Sequence, residues 1–329
     1  MKQIKWGIMG AGRMSGWFTE ALSILPDANL YAVGSRNLAK AQHFAETYGF
    51  QKMYGSYEEL VRDPEIDIIY IGTPVRYHYD SLMLALHAGK HVLCEKALTV
   101  NASQAKEAYA LAREKHVFLM EAMWMKCQPA YRKMLEWIRG GLIGDIQSVE
   151  ARFFTKAGNG HRLFQHEIAG GALLDLGIYP LTAACDILGY SPDKIVSHAA
   201  IGKEHVDYSN STLLSYKNGS YASVNSGLAL SKMVSLFIIG TKGRICIDKE
   251  FFFQAEHIEA YGYNDTLLGS FDGKFMKNGY EFEAIEVMDC LRRGKTGSNL
   301  VPVSESIALL ELMDQLRAQW GLKYDFEEI

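Results

Sequence analysis

The chain has 329 residues, of which 48% are hydrophobic and 22% charged, so it is long enough for about two domains and apolar enough for well-packed cores. Its 34 basic and 38 acidic residues give a formal net charge of −4, which is too small and too mixed for a surface that follows nucleic-acid phosphates. These values exclude a disulfide-stapled miniprotein and a disordered chain, and we expect no nucleic-acid partner.

The cysteines and apolar stretches indicate the cellular compartment. The five cysteines are widely spaced and include no C-x-x-C pair, unlike a disulfide framework or a zinc site. The first 12 residues contain no small-residue cleavage site, and the longest apolar stretch, 172–190, contains Asp175 and Asp186. We therefore expect a cytoplasmic protein with no membrane partner.

In residues 1–121, short apolar runs alternate with helix-length amphipathic segments. The predicted strands are Ile4–Met9, Leu30–Ser35, Ile66–Gly72, Lys90–Glu95 and Val117–Glu121. Capping-box spacing at Ser56–Glu59 and Asn101–Gln104 marks helix starts, and Gly49 and Gly89 mark helix ends. This alternation predicts an α/β domain, a doubly wound parallel sheet of the Rossmann type.

Residues 122–329 have a different pattern, in which strands follow one another without helices between them. Helices are predicted at Pro129–Arg139, Ala172–Leu188, Tyr280–Leu291 and Val303–Trp320, and strands at Ile146–Thr155, Ile195–Ile201, Thr212–Tyr216, Tyr221–Ser226, Val234–Ile239 and Arg244–Asp248. This pattern predicts an α+β substrate and oligomerisation domain with a large, open, mostly antiparallel sheet. The last helix is a candidate to pack back on the first domain.

The first predicted strand ends in a glycine-rich turn that runs directly into a helical pattern. Gly10 permits the tight turn, Gly12 lets the backbone approach a pyrophosphate, and Ser15 is small enough for close packing of helix on strand. The free N–H groups at the helix start, around Arg13 and Met14, favour an anion. The alternative is an ordinary turn, but its place at the first strand of an alternating pattern favours a dinucleotide site.

The end of the second predicted strand bears on the choice between NAD and NADP. An NAD site usually has a carboxylate there for the ribose 2′-hydroxyl, but this chain has Ser35 and Arg36, with Lys40 one helical turn later. Two cations in that place would suit a 2′-phosphate. We therefore predict that NADP is favoured, with NAD possible as cofactor; the alternative is that both cations only solvate a loop.

Two further segments follow predicted strands of the same sheet. One contains Thr73, Pro74 and His78, and the other contains Glu95 and Lys96. Ligands of doubly wound sheets bind at the carboxyl ends of the strands, so both segments are predicted to lie beside the cofactor.

Together with the glycine-rich run 170–180, these motifs resemble the glucose-fructose oxidoreductase, inositol dehydrogenase and rhizopine-catabolism (Gfo/Idh/MocA) family over essentially the whole chain. The shared features are the Gly-x-Gly turn, the Thr-Pro turn, the Glu-Lys pair, and a glycine-rich run leading to Asp175 and then Tyr179. The segment 121–124 and a Tyr rather than a His at 179 are most similar to the dimeric dihydrodiol dehydrogenase and D-xylose dehydrogenase branch.

The resemblance implies an NAD(P)-dependent oxidoreductase that acts on a CH–OH group, with Lys96, Asp175 and Tyr179 as the catalytic set. Alcohol oxidation needs a base for the hydroxyl proton, and a neighbouring ammonium favours the ionised form of a phenol. Asp175 lies one helical turn before Tyr179 and would orient Lys96 or the substrate hydroxyl. The alternative is that Tyr179 packs in the core and Asp175 caps a helix.

The resemblance also implies that Trp124 and Phe153 or Phe154 line a substrate pocket, although aromatic residues in such places also form ordinary core. The substrate it implies is a sugar, a cyclic polyol or an aromatic trans-dihydrodiol. The open sheet of this family commonly pairs face to face, so we expect a homodimer or a higher homo-oligomer.

Two departures from the family pattern affect these expectations. Ala97 replaces the usual proline after Glu-Lys, and a non-proline cis peptide costs roughly 3 to 4 kcal/mol, so a trans bond between Lys96 and Ala97 is expected. Ala172 replaces the third glycine of the later run. His161 and His166 match no metal motif, so no metal is predicted.

Two other functions remain open at the level of the sequence. One is a non-catalytic sensor or scaffold that holds NADP. The other is an enzyme that uses a tightly held cofactor transiently, such as a redox-assisted glycosidase or an internal oxidoreductase. Turnover of a bulk nicotinamide pool with sugars, polyols and diols distinguishes these functions from a dehydrogenase.

Overall fold

The alternating pattern of the first half folds as a six-stranded parallel sheet in the computed structural model, which describes residues 3–158, 160–248 and 251–327. The strands are β1 (Ile4–Met9), β2 (Ala28–Gly34), β3 (Lys52–Tyr54), β4 (Ile68–Ile71), β5 (His91–Glu95) and β6 (Leu119–Ala122). Their order is β3-β2-β1-β4-β5-β6, so the chain reverses direction across the sheet between β1 and β4. The predicted Rossmann fold class is confirmed.

Of the five crossover helices, two begin and two end where the capping signals placed those bounds. They are α1 (Arg13–Ser23), α2 (Leu38–Tyr48), α3 (Tyr57–Arg62), α4 (His78–His87) and α5 (Ala102–Glu114). The Ser56 hydroxyl accepts a hydrogen bond from the amide of Glu59 at 3.1 Å, and the Asn101 side chain accepts one from Gln104 at 3.0 Å. Gly49 ends α2 with a φ of 80°, which favours glycine.

The core of this sheet depends on aromatic packing between β1, α1 and β4. The rings of Phe18 and Tyr70 stack at 4.0 Å, and Trp6 meets Phe18 edge-on at 5.3 Å. All three side chains are fully buried. Burying a side chain of this size contributes roughly 1.5 to 3 kcal/mol, so these contacts hold α1 firmly against the strand that precedes it.

The chain divides into two structural units, and the division differs from the predicted one near residue 121. The first unit contains the residues up to Cys127 together with Phe275–Ile307, a segment that we assigned to the second domain. This segment carries α8 (Glu281–Arg292), which packs on α1. The Asn278 amide donates to the carbonyl of Trp17 at 2.9 Å, and Arg292 forms an ion pair with Asp27. Hydrophobic periodicity predicts the helix but not such partners, which are distant in sequence.

The second unit, Gln128–Lys274 and the residues from Ala308 onward, is built on an eight-stranded sheet. Its strands are β7 (Ile146–Lys156), β8 (Lys194–Ile201), β9 (Asp207–Ser215), β10 (Tyr221–Gly227), β11 (Ala229–Gly240), β12 (Gly243–Ile247), β13 (His257–Gly262) and β14 (Leu267–Asp272). Their order is β14-β13-β12-β11-β7-β10-β9-β8, and the pairing of β7 with β10 is parallel while the other pairs are antiparallel. The predicted α+β class is confirmed, although β13 and β14 were not foreseen.

One face of this sheet is covered by helix and the other is open. The helices α6 (Pro129–Arg139) and α7 (Ile178–Leu188) belong to this unit, and α9 (Val303–Trp320) passes from the first unit into the second. The face under α7 buries Val149, Ala151 and Leu214, whereas the opposite face leaves Val196 and Leu213 half exposed at paired register positions. The stretch 166–188 is apolar and long enough to cross a membrane, but 89% of its apolar window is buried, which is typical of a core helix.

Candidate active site

The glycine-rich turn after β1 has the backbone geometry that a dinucleotide-binding turn requires. Gly10 has a φ of 100°, and a side chain there would come within 3.3 Å of the carbonyl oxygen of Gly72. Gly12 precedes α1 and has no side chain to cap it, so Gly12 leaves the first amides of the helix, from Arg13 and Met14 onward, open to an anion. Ser15 packs so closely on Gly72 that any side chain at Gly72 would collide with its hydroxyl.

Arg36 and two tyrosines line a cavity of about 280 Å³ beside this turn. The Arg36 guanidinium lies over the ring of Tyr77 at 4.9 Å, and Tyr57 lies in contact with the same guanidinium. Burial raises the pKa of the Tyr57 phenol, and the positive charge of Arg36 opposes that change. The sequence analysis predicted Arg36 but missed both tyrosines, because no motif marks an aromatic side chain that a neighbouring element contributes.

Ser35 and Lys40, which were also predicted to bind the cofactor, lie in different environments. Ser35 is buried, and its hydroxyl accepts a hydrogen bond from the amide of Asn37 at 3.3 Å. Lys40 is exposed in the first turn of α2, where its amide donates to the Asn37 side chain at 3.1 Å. Ser35 therefore supports the turn, while Lys40 presents its charge to solvent.

His78 connects the loop after β4 with the loop after β5. The imidazole is 1% exposed, with Nδ1 2.9 Å from the carbonyl oxygen of Ala97 and Nε2 2.7 Å from that of Thr73. Burial lowers its pKa, while the two carbonyls oppose that change. The His78 ring thus lies between the Thr73–Pro74 turn and the Lys96 loop and contacts both.

The peptide between Lys96 and Ala97 is cis, so the expected trans bond was wrong. The expectation used the cost of a cis bond in an isolated peptide and took no account of the buried contacts on either side. The carbonyl of Ala97 faces the imidazole of His78, and the amide of Leu98 donates to Glu121 at 3.0 Å. Tertiary hydrogen bonds therefore define the path of the segment that carries Lys96.

Glu95 lies beneath this segment, in a cluster of buried acids. Its carboxylate accepts a hydrogen bond from the hydroxyl of Tyr70 at 2.6 Å. Glu283, on α8, is fully buried, and within the described ranges neither of its carboxyl oxygens has a hydrogen-bond partner. Burial, together with the charge of Glu95, holds the pKa of Glu283 well above its usual range. Burial therefore favours the neutral, protonated form of the Glu283 carboxyl.

Trp124 is held in the first unit by a stacked aromatic partner. Its ring lies 4.2 Å from that of Tyr280 at an angle of 9°, and it is 4% exposed. Tyr280 directly precedes α8, the helix that the predicted domain division assigned elsewhere. The indole is thus fixed in one orientation by a part of the chain that is distant in sequence.

In the second unit, Asp175 lies on a π-helix, Leu173–Gly177, and Tyr179 lies in the first turn of α7, which continues from it. We predicted one uninterrupted α-helix over this stretch. The Leu173 amide at its start donates to the carboxylate of Asp207 at 2.9 Å. This buried bond fixes where the helical stretch begins, and with it the positions of Asp175 and Tyr179.

An aromatic cluster surrounds Tyr179. Its ring stacks on Phe253 at 4.4 Å, and Phe153 lies 6.1 Å from Tyr179 and 4.9 Å from Phe253. Phe154, the next residue of β7, is absent from these described contacts, because successive side chains of a strand point to opposite faces. Of the two predicted phenylalanines, the structure therefore brings only Phe153 to Tyr179, and it adds Phe253, which lies in a run of three phenylalanines that the sequence analysis did not single out.

Comparison with known proteins agrees with this architecture. Residues 4–123 match the family model described as an oxidoreductase family with an NAD-binding Rossmann fold, and residues 131–246 match the Gfo/Idh/MocA C-terminal domain. The chain belongs to the Gfo/Idh/MocA family. It is an NAD(P)-binding oxidoreductase of that family, as the resemblance implied.

Two similar proteins and one protein of the same fold illustrate the match. Trans-1,2-dihydrobenzene-1,2-diol dehydrogenase of Mus musculus is 36% identical over 98% of both chains. A solved 3-ketoreductase of Actinomadura kijaniata, in complex with NADP and TDP-benzene, is 26% identical with a TM-score of 0.86 and covers 96% of this chain and 98% of its own. Levoglucosan dehydrogenase, solved with NADH and levoglucosan, is 19% identical with a TM-score of 0.85 over 97% and 98% of the two chains, and shows the fold alone.

We expect the substitution Asp207→Asn to flatten the dependence of stability on pH. Burial raises the pKa of Asp207 to about 7, from a usual 3.8. The folded state thus keeps a proton that the unfolded chain has lost, and the wild type loses stability as the pH rises from the lower of these values to the higher. The Asp207→Asn variant carries no such proton, so its free energy of unfolding increases relative to that of the wild type over the same interval.

Urea denaturation at several pH values within this interval measures the effect. The exposed Asp145 provides the matched control, since Asp145→Asn removes a carboxyl of the same kind from the surface. Parallel pH profiles for wild type and Asp207→Asn would contradict the assignment.

Proposed function

We propose that the protein transfers a hydride between NADP and the CH–OH group of a ring alcohol, with Tyr179 and Lys96 as its acid–base pair. The observation that supports this most directly is the placement of Tyr179: the ring is 6% exposed, stacked on Phe253, and follows Asp175 on a helical stretch anchored by Asp207. A side chain fixed in this way has the orientation that proton transfer requires.

Each residue has a distinct role in this proposal. Tyr179 takes the proton of the substrate hydroxyl during oxidation and returns it during reduction. The proposed role of the Lys96 ammonium is to favour the ionised form of the phenol, because a positive charge stabilises a phenolate. Asp175 accepts a hydrogen bond from the substrate and limits the rotation of the substrate.

The residues at the carboxyl edge of the parallel sheet fit the cofactor. The α1 terminus that Gly12 leaves without a side-chain cap would hold the pyrophosphate, and Arg36 would pair with a 2′-phosphate. Bound NADP supplies the hydride acceptor or donor. A protein of the same fold was solved with NADH, so the preference for NADP rests on Arg36 and on the absence of a carboxylate at Ser35.

The substrate classes are a sugar, a cyclic polyol or a trans-dihydrodiol. All three present hydroxyl groups on a ring that has an apolar face. The cluster of Phe153, Phe253 and Tyr179 supports such a substrate, because aromatic rings pack well against the C–H face of a ring. The relatives named as dihydrodiol dehydrogenases favour the trans-dihydrodiol among the three.

We further propose that the protein is cytoplasmic and forms a homodimer through the open face of the eight-stranded sheet. Val196 and Leu213 are 52% and 42% exposed at adjacent positions of that face. Exposed apolar side chains that lie together on a sheet favour association.

Light scattering is expected to give a dimeric mass for the wild type. A monomeric mass is expected for Leu213→Glu, because a charge on this face opposes its burial. A monomeric wild type would contradict the proposal.

We expect Tyr179→Phe and Lys96→Met each to lower kcat by about 10²- to 10⁴-fold, the usual contribution of a positioned acid–base group. Oxidation of sugars, polyols and diols is followed through the absorbance of NADPH. The exposed Tyr263 and Lys203 give matched controls, as Tyr263→Phe and Lys203→Met. Full activity in the Tyr179 variant would exclude the role of its phenol, and absence of turnover with every alcohol in the wild type would favour a cofactor-holding sensor instead.

We expect Arg36→Ala to weaken binding of NADPH about ten- to a hundredfold, in line with ~1.5 to 3 kcal/mol for a hydrogen bond to a charged group, and to weaken NADH far less. Titration calorimetry with both nucleotides measures the difference. Arg139→Ala removes an exposed arginine from α6 and is the control. Equal losses for NADPH and NADH would contradict the 2′-phosphate assignment.

A further inference from the structure

Asp175 has a partner that the sequence analysis did not identify. Nη2 of Arg162 donates to both carboxylate oxygens of Asp175, at 3.0 and 3.1 Å. The two side chains are 44% and 21% exposed. The arginine therefore lies beside one of the proposed catalytic residues, within the second unit, and both remain accessible to a ligand.

Backbone hydrogen bonds fix the loop that carries Arg162 near Asp175. Arg162 begins a short 3₁₀ turn, and the amides of Gly170 and Gly171 donate to the carbonyls of Gln165 and Leu163 at 2.9 and 2.8 Å. A side chain on Gly170 would come within 2.6 Å of the Leu163 oxygen, so only glycine allows this contact. The loop is thereby fastened to the start of the helical stretch that bears Asp175.

The C-terminal segment fixes the same loop from the other side. The hydroxyl of Tyr324 donates to the carbonyl of Gly170 at 2.6 Å, and its ring lies 5.1 Å from that of His166. Arg317 holds this segment through two hydrogen bonds to Glu327, at 2.7 and 3.0 Å. The position of Arg162 is thus determined by contacts from three parts of the second unit.

The hydrogen bonds to Asp175 engage one of the three guanidinium nitrogens of Arg162. A guanidinium carries five N–H groups, and within the described ranges of the chain Nη1 and Nε of Arg162 make no hydrogen bond. Asp175 offsets the positive charge. The pair therefore presents fixed donors and acceptors with little net charge, which suits an uncharged polyhydroxy compound better than an anion.

We propose that Arg162 is a substrate-binding residue that selects a vicinal diol. Its Nη1 or Nε donates to the oxygen of the hydroxyl next to the reacting carbon, while Asp175 accepts a hydrogen bond from the substrate. Two hydroxyls on adjacent ring carbons are close enough to meet a donor and an acceptor that themselves share a hydrogen bond. The inference rests on the proposed function and adds the diol as the group that is recognised.

The test compares each diol with its analogue that lacks one hydroxyl. Wild type, Arg162→Met and Arg162→Lys are assayed with D-glucose and 2-deoxy-D-glucose, and with trans-1,2-cyclohexanediol and cyclohexanol. Arg162→Met is expected to lower kcat/KM for the diols about ten- to a hundredfold, because a charged donor is lost. The deoxy analogues should change less than about threefold, and Arg162→Lys should recover part of the diol activity.

The comparison separates substrate binding from a purely positioning role. If Arg162 only orients Asp175, Arg162→Met slows diol and analogue by the same factor, and that result overturns the inference while leaving the proposed function intact. Arg139→Met is the control for loss of an exposed arginine.

A binding measurement distinguishes this failure from a failure of the proposed function. Calorimetry with the NADP-loaded protein measures affinity for the same diols without turnover. A wild type that binds a diol but never oxidises it contradicts the proposed function, and weaker diol binding by Arg162→Met still supports the inference. Unchanged diol binding by that variant overturns it.

Discussion

The first unit depends on a single geometric constraint, which is that all strands of its sheet end at one edge. Because β1, β2, β4 and β5 run parallel, the loops that follow them meet there. The closeness of Gly10 to Gly72 follows directly, since these residues end neighbouring strands. The buried His78 then lies between two of the loops, with each ring nitrogen facing a carbonyl oxygen of one loop. This edge positions three features of the proposed cofactor site, which are the uncapped start of α1, the Arg36 cavity and the segment of Lys96.

The proposed site residues of the second unit are positioned in a different way. Within the described part of this unit, no edge of parallel strands brings them together, and a glycine pair and a buried acid do so instead. Gly170 and Gly171 bring a loop against the start of a helical stretch, and Asp207 fixes that start through the amide of Leu173. The consequence is that Asp175 and Tyr179 lie on a rigid element, whereas Arg162 is held by its loop and remains partly exposed. A fixed acid–base group beside a fixed but partly exposed binding group is a suitable arrangement for an enzyme that accepts ring alcohols.

Much of this arrangement could be predicted from local sequence, and the exceptions share a physical cause. The strand Ile4–Met9 was predicted to the residue, because periodicity is a property of neighbouring residues. Phe253 and Arg162 were missed, since each acquires its role from a partner on another element. The cis bond before Ala97 likewise depends on buried hydrogen bonds that the general preference for trans ignores. The π-helix at Leu173–Gly177 has no period that distinguishes it from an α-helix in the sequence.

Each of the two proposed acid–base residues has a buried acid near the segment that carries it. Glu283 lies in the buried cluster of Glu95, which directly precedes Lys96, and Asp207 lies under the start of the stretch that carries Tyr179; burial raises the pKa of both Glu283 and Asp207. Each lowers stability as the pH rises, since the folded state holds a proton that the unfolded chain releases. Fixed dipoles in a poorly solvated environment need no reorganisation during proton transfer, so buried polar groups near an acid–base residue favour that step. The cost in stability is thus concentrated near the residues whose orientation matters most.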